Sequence, residues 1–245
     1  MSSDFPDHSV DRRTDGIGSA SLAASHDLAQ SVPRLSGGIV RATDLFLATI
    51  LLIVLVPVLA TIAIAILMAD GSPIIFSQER SGRNEGLFRI LKFRTLRLGD
   101  DGVTRPFRFG QFLRTTSLDE LPQLINVVRG EMSFVGPRPL LPEYAPYYSD
   151  LERMRFLVRP GVTGLAQISG RHEITWDEKL ATDVAFVKRY SVWTYFRILA
   201  STPIAVLTRR GTASSWNQEV RLDVERRGND HPATAGSSNE NVVPD

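Results

Sequence analysis

A mainly helical α+β fold with one short β-hairpin, attached to a membrane through its N-terminal third, is what the sequence predicts, and three observations predict it. Residues 45–68 carry no charged side chain and are interrupted midway by Pro57. Residues 74–76 and 88–93 are short apolar runs on either side of the turn-rich Arg80-Ser81-Gly82-Arg83-Asn84-Glu85-Gly86. Beyond them, apolar residues return at the i, i+3, i+4 spacing of amphipathic helices.

Composition narrows the function before any motif is considered. The 245 residues hold one good-sized domain plus appendages, and 28 Lys+Arg against 27 Asp+Glu exclude a grossly basic nucleic-acid binder. With no cysteine there is no disulfide, thiolate metal site or catalytic thiol, which fits the cytoplasm. His8, His26, His172 and His231 show no paired ligand spacing, which argues against zinc. A carboxylate-held Mg²⁺ remains open.

In chain order, residues 1–38 are rich in Ser, Asp and Gly, with too few apolar residues to offset the entropy of ordering, and are expected to form a flexible tail. Residues 39–71 form the membrane segment. At about 1.5 Å per residue its uncharged run is long enough to cross a hydrocarbon core of roughly 30 Å. Thr43 or Asp44 is expected to cap its start and Asp70-Gly71 to end it. Pro57 removes a helical hydrogen bond and clashes with the preceding turn, so the helix kinks or breaks there. Two forms satisfy this: a kinked helix that spans the bilayer, and two half-helices that enter and leave by the same face. Arg34 and Arg41 precede the run while Arg80, Arg83, Arg89 and Lys92 follow it, and basic residues on both flanks favour the re-entrant hairpin.

Residues 72–210 form the soluble domain. After its opening hairpin, residues 99–106 are polar and expected to be a mobile loop, and residues 107–113 lead into an acidic helix. Leu151, Met154, Leu157 and Val158 predict a further helix, stopped by Arg159-Pro160-Gly161-Val162-Thr163-Gly164. Backbone amides of that Gly/Pro loop can approach a ligand, and Gly170-Arg171 repeats the theme. Thr175 and Glu178 fit a capping box that opens a helix with Trp176, Leu180, Val184 and Val187 on one face. Over residues 191–207, Trp193, Tyr195, Phe196 and Ile198 with basic neighbours Lys188, Arg189, Arg197, Arg209 and Arg210 suit either an interfacial amphipathic helix or a packed core helix. Residues 211–245 turn polar and are expected to be disordered.

The chemistry is expected between residues 115 and 139. Leu118, Leu121, Leu124, Ile125 and Val128 predict a buried helical face with Asp119 and Glu120 in or before its first turn. Ser117 and Glu120 fit a capping box, which would account for the acids structurally. Pro122 disagrees: with Ser117 as the cap it lies past the positions whose N–H is free, so the helix starts later or is tightly wound. Neighbouring helical residues point about 100° apart, so one acid can face a substrate while the other faces a metal or base. Arg94, Arg114, Arg138, Arg159 and Arg171 each lie beside a turn, a proline or the acidic helix. Converging, they would clamp a diphosphate, because guanidinium forks match phosphate oxygens. Paired carboxylates inside such a clamp need a cation if they are not to repel the substrate.

Lys92-Phe93-Arg94-Thr95, Ser117-Leu118-Asp119-Glu120-Leu121, Met132-Ser133-Phe134-Val135-Gly136-Pro137-Arg138-Pro139 and Arg159-Pro160-Gly161-Val162-Thr163-Gly164 follow one another behind a proline-broken apolar segment. In that order they resemble the bacterial sugar transferase family, the monotopic polyprenyl-phosphate phosphoglycosyl transferases, in minimal form. The likeness runs from about Arg41 to Arg210. It implies transfer of a sugar 1-phosphate from a UDP-sugar to undecaprenyl (polyprenyl) phosphate, with release of UMP, as the first step of an exopolysaccharide, capsule, O-antigen or glycoconjugate. It also implies a monotopic protein of the bacterial inner (cytoplasmic) membrane, held by a re-entrant hairpin broken at Pro57 and by interfacial helices, with its catalytic domain on the cytoplasmic face. Carried onto this chain, Asp119 attacks the phosphate bearing the sugar to form a covalent intermediate. Glu120 helps to hold Mg²⁺, with Asp119, or activates the lipid phosphate. Arg138 and Arg171 are the preferred phosphate ligands, Lys92 and Arg114 support the dyad, and Arg94 and Arg159 complete the implied substrate set. Val56 and Leu165 stand where some relatives carry Ser and Trp: the first bears on how sharp the break at Pro57 is, and the second lies in the loop near the nucleotide or sugar, so donor choice does not carry over. The implied partners are the UDP-sugar, the polyprenyl phosphate and the lipid bilayer, with no nucleic acid; a homodimer stays open. Two rivals also stay open: a membrane-bound glycosyltransferase that releases UDP, and a non-catalytic scaffold of a polysaccharide assembly complex whose acids merely cap a helix.

Overall fold

The computed structural model describes residues 34–99, 101–169 and 175–207, together with Leu222 and Val224. The expected tails, residues 1–38 and 211–245, therefore lie almost wholly outside the described residues. Two apolar helices come first, α1 (Arg34–Val54) and α2 (Val56–Asp70), which meet at Leu55. Pro57 sits in the first turn of α2, where a missing N–H costs nothing, so the proline marks the break as its chemistry predicts. Gly71 ends α2 at φ 70, a conformation that favours glycine.

The start of α1 differs from expectation. It runs from Arg34, which leaves Thr43 and Asp44 in mid-helix rather than at a cap. Asp44 is instead 0% exposed. Its Oδ1 accepts hydrogen bonds from the Ser133 hydroxyl (3.1 Å), the Phe134 N–H (3.0 Å) and the Tyr195 hydroxyl (2.7 Å). Three residues earlier, Arg41 donates to the carbonyls of Val127 (2.6 Å) and Val128 (2.9 Å). Residues Gly37–Val54 are long and apolar enough to cross a membrane by length and composition, and α2 is a shorter apolar helix. Around the break, Ile53, Val54, Val56 and Val58 are exposed, as are Phe46, Ile64, Leu67 and Met68. So continuous an apolar surface marks contact with something other than water.

β1 (Ile75–Ser81) and β2 (Leu87–Phe93) pair antiparallel around a 3-10 turn at Arg83–Glu85, which realises the predicted hairpin and extends its first strand through polar residues. The mobile loop expected next is a second, smaller hairpin. β3 (Leu96–Leu98) pairs with β4 (Thr104–Pro106), and Gly99 N–H closes on Val103 O at 2.9 Å. Polarity concealed it; the turn chemistry of Asp101-Gly102, with Gly102 at φ 74, makes it.

α3 (Arg108–Thr115) leads through a 3-10 turn, Leu118–Glu120, to α4 (Gln123–Arg129) and β5 (Ser133–Val135). A 3-10 segment (Pro142–Tyr147) and α5 (Asp150–Arg153) follow, and the helix expected over residues 151–158 divides here, since Met154–Leu157 is 3-10. Ser149 and Glu152 cap α5 reciprocally, and Leu151, expected on the buried face, is exposed. β6 (Gly161–Thr163) lies parallel to β5 in the register Ser133↔Gly161 and Val135↔Thr163. After α6 (Leu165–Ile168) come α7 (Trp176–Lys188) and α8 (Val192–Leu207). The Thr175 hydroxyl accepts from Glu178 N–H at the start of α7, which is the N-cap half of the expected capping box. α8 has two characters: Tyr195 and Ile198 are buried, while Trp193 is 77% exposed and Phe196 and Ile204 are exposed.

The main core joins α1, β2, α4, β5, α7 and α8 through Ala48, Ile90, Val127, Val135, Phe186 and Tyr195. A second cluster packs α2 against α3 through Ile62, Ile66, Phe93, Phe107 and Leu113. At about 1.5–3 kcal/mol for each large side chain buried, such clusters fix both apolar helices to the soluble domain. Leu222, fully buried, joins Tyr144, Tyr148, Phe156, Trp176 and Leu180 in a third.

Asp44→Ala leaves three donors facing a void, each costing about 1–3 kcal/mol when unsatisfied. Its melting temperature in detergent is expected to fall by several degrees, with Tyr195→Phe falling less. Unchanged melting of Asp44→Ala would refute the anchoring role.

Candidate active site

The acidic pair is placed by a strained turn. Ser117 adopts the left-handed region (φ 56, ψ 16), which costs a residue with a Cβ roughly 1–2 kcal/mol. Its side chain makes no capping bond, so the capping box expected of Ser117 and Glu120 does not form. The chain winds tightly through Leu118–Glu120 and α4 begins after Pro122, its N-cap, which removes the conflict the proline posed.

Glu120 is the hub. Its Oε1 accepts from Lys92 Nζ of β2 at 2.6 Å and from Arg138 Nη2 at 2.9 Å. Burial alone would raise the Glu120 carboxyl, but Lys92 and Arg138 outweigh it and hold the group down at about 2. Asp119 is 8% exposed and has no such partner among the described residues. Burial, and then the neighbouring Glu120 charge, push its carboxyl up to about 6 against the pull of Lys92, Arg114 and Arg138. Environment has separated two adjacent carboxylates into a fixed anion and a basic, buried one.

Arg138 reaches Glu120 because β5 and β6 lie unusually close. Gly136 N–H donates to Thr163 O and Gly161 N–H to Pro137 O, both at 2.9 Å. A Cβ on Gly136 would strike the Arg159 carbonyl, and one on Gly161 would strike the Gly136 nitrogen. The two glycine-containing motifs are thus halves of one structure.

Of the predicted site residues, Lys92, Arg138, Asp119 and Glu120 come together, and the charge of Arg114 acts on Asp119. Arg94 is turned elsewhere: it pairs with Asp70 Oδ2 (2.7 Å) and donates to the carbonyls of Asp70, Gly71 and Pro73, fastening the end of α2. Arg159 donates through Nε to Gly130 O (2.8 Å) and lines a separate cleft with Asp44, Arg83 and Tyr190. Arg171 lies outside the described residues. One basic residue was overlooked in the site. Arg80 interacts electrostatically with both Arg138 and Glu120, and the alternation Gln78-Glu79-Arg80 on β1 was the available signal.

Among the described residues, no three His, Asp or Glu side chains form a ready-made cation cage. The Asp119–Glu120 pair still fits Mg²⁺, which is commonly held by one or two carboxylates and completes its shell with water and substrate phosphates. Chemically, a buried carboxylate of raised basicity among cations can attack an electrophile whose developing negative charge those cations stabilise.

A helical α+β domain on a pair of apolar helices, with a carboxylate–lysine–arginine site, has the make-up of a transferase that handles phosphate groups. The bacterial sugar transferase family matches residues 36–209, and the chain belongs to that family. An uncharacterised sugar transferase, EpsL, of Bacillus subtilis is 41% identical over 161 residues, covering 63% of this chain and 79% of that one. The UDP-glucose:undecaprenyl-phosphate glucose-1-phosphate transferase of Escherichia coli is 40% identical over 179 residues, covering 66% of this chain and 39% of that protein. Its namesake in Caulobacter vibrioides is 36% identical over 185 residues, covering 69% of each. The chain therefore spans well under half of the Escherichia coli relative and most of the other two.

The divided carboxylates predict opposite stability effects. The Asp119 value of about 6 lies above its ordinary 3.8, so its ionisation destabilises the fold as pH rises through that window. The Glu120 value of about 2 lies below its ordinary 4.5, so its contribution is present above 4.5 and lost as pH falls toward 2. Melts of wild type and Asp119→Asn should converge near about pH 4, with the variant more stable by up to roughly 3 kcal/mol at neutral pH. Glu120→Gln should be less stable than wild type by roughly 1–3 kcal/mol at neutral pH, since it removes the charge that Lys92 and Arg138 share. The reverse order of the two variants at neutral pH would contradict the assignment.

Proposed function

We propose that this protein transfers a sugar 1-phosphate from a UDP-sugar to a polyprenyl phosphate, such as undecaprenyl phosphate, through a covalent intermediate on Asp119, and so begins a surface glycan. The observation that carries the reading is the divided pair: Asp119 buried and basic, Glu120 ionised between Lys92 and Arg138. An Asp119 oxygen attacks the phosphorus that bears the sugar, and the bond from that phosphorus to the UMP oxygen breaks. UMP leaves with the electron pair. An oxygen of polyprenyl phosphate then attacks the same phosphorus, breaks its bond to Asp119 and forms the lipid diphosphate sugar. Each transfer is easier than a direct one because the nucleophile is held in place. Lys92 and Arg138 position Glu120 and place positive charge where the phosphate oxygens gather. Asp119 and Glu120 would hold Mg²⁺, which when bound offsets the charge of those oxygens. The named reactions of the Escherichia coli and Caulobacter relatives support this class of donor and acceptor.

The apolar pair is read as a re-entrant hairpin on the cytoplasmic side of the bacterial inner membrane. Support comes from its two flanks: Arg41 and Asp44 of α1, and Asp70 of α2, are all tied to the same soluble domain, while the break around Leu55 and Pro57 stays apolar and exposed. The exposed Trp193, Phe196 and Ile204 of α8 suit the interface beside it.

With a UDP-sugar panel, polyprenyl phosphate and Mg²⁺, wild type should release UMP and Asp119→Asn should lose at least about a thousandfold of the rate. Released UDP would point to glycosyl transfer instead. Donor alone should give a single burst of UMP and a protein heavier by one sugar phosphate, absent in Asp119→Asn. Activity should decline as pH falls through about 6, where Asp119 takes up its proton. Because the chain has no cysteine, Gly37→Cys and Ser72→Cys can be labelled in sealed vesicles. Labelling from one side at both positions is expected; opposite sides would establish a spanning helix.

A further inference from the structure

We infer that Arg80 binds the diphosphate of the nucleotide donor, an assignment that rests on the transferase reading of the Asp119–Glu120 site. In the β1–β2 ladder Phe76 pairs with Lys92, Gln78 with Ile90 and Arg80 with Phe88. Paired residues, and every second residue along a strand, share a face of the hairpin. Arg80 is therefore on the face that sends Lys92 to Glu120. Its strand end is tied to the segment following Arg138, because Ser81 N–H donates to Leu140 O at 3.1 Å. The two cations that grip Glu120 thus come from the two strands of chain that flank Arg80.

Arg80 is poorly matched by the protein. Its Nη2 donates to the neutral amide oxygen of Gln78 at 2.6 Å, and its Nε–H is enclosed with no acceptor. Among the described residues no carboxylate pairs with it. Arg155, whose Nε is likewise enclosed without an acceptor, is paired with Asp183 at 2.8 Å, and Arg94 with Asp70 at 2.7 Å. A carboxylate of this kind compensates the burial of a guanidinium charge, and Arg80 has none within ion-pair distance among the described residues. Burial and the nearby Arg138 charge lower the Arg80 guanidinium to about 10, against the opposing pull of Tyr144, Glu120 and Glu143. Glu120 and Glu143 are the carboxylates whose charge reaches Arg80, and Glu120 Oε1 is already held by Lys92 and Arg138. An anion with several acceptor oxygens supplies what is missing, and a planar guanidinium matches a diphosphate better than a point charge does.

The test is calorimetric titration of UDP into the full chain held in detergent, comparing wild type, Arg80→Ala and Arg80→Lys, with melting temperatures taken without UDP. Arg80→Ala is expected to bind UDP at least about tenfold more weakly, with Arg80→Lys between it and wild type, because charge is kept and the fork is lost. Melting without UDP should match wild type. Wild-type affinity in Arg80→Ala overturns the assignment; should that variant fail to fold, wild-type affinity in Arg80→Lys overturns it. A wild-type chain that binds no UDP also overturns it. A wild-type chain that binds UDP, loses affinity on Arg80→Ala and yet releases no UMP would sink the transferase reading while leaving Arg80 as a diphosphate ligand.

Discussion

The grip of Lys92 and Arg138 on Glu120 is the constraint from which the rest of the site follows. One carboxylate oxygen receives two cationic donors, at 2.6 and 2.9 Å, from a β-strand and from the loop after β5. Together they hold Glu120 ionised in spite of its burial. That permanent negative charge, next to the buried Asp119, raises the neighbour's basicity. The lower pKa of one acid is thus the cause of part of the higher pKa of the other. Burial alone would already raise Asp119, and the Glu120 charge adds to it.

Such a grip requires the β-hairpin, the acidic turn and the Gly136–Arg138 segment to meet within side-chain reach. Ser117 in the left-handed region bends the chain so that the acids precede α4 instead of capping it. Close approach of Gly136 to Gly161 then lets the loop after β5 fold back over the turn. Asn126 secures the other side: its amide accepts from Leu91 N–H at 3.0 Å and donates to Arg89 O at 2.8 Å, which locks α4 to the strand that carries Lys92. Backbone strain at one residue and missing side chains at two others are the local costs of this convergence.

The same domain also sets where the apolar helices lie relative to the chemistry. Asp44 is bound by the strand that leads to Arg138, and Arg94 follows directly on the strand of Lys92 and grips the end of α2. A shift of the helix pair would therefore pull on the two segments that supply the cations of Glu120. Under the proposed transfer from a soluble nucleotide sugar to a lipid-borne phosphate, this coupling would fix the depth at which the two substrates meet.

By itself the sequence determined what local chemistry decides. Pro57 marks a break because a proline lacks an N–H, Gly71 ends α2 because it tolerates positive φ, Thr175 caps because its hydroxyl reaches Glu178 N–H, and Asp119-Glu120 stand out as paired acids before an apolar run. The family motifs were legible for the same reason, as short strings with fixed order. Only the tertiary structure decided how residues of one type divide their work. Arg94 and Arg138 both follow apolar strands, yet one secures a helix end and the other meets Glu120, according to contacts many residues away. Asp44 precedes an apolar run and so looks like a cap, but its helix begins at Arg34, and a tyrosine 151 positions later makes it a buried acceptor. Arg80 reads as a flanking charge until the strand register turns it toward Lys92. Propensity and capping act over a few residues, whereas a side chain's electrostatic role depends on which distant groups burial brings within a few ångströms of it.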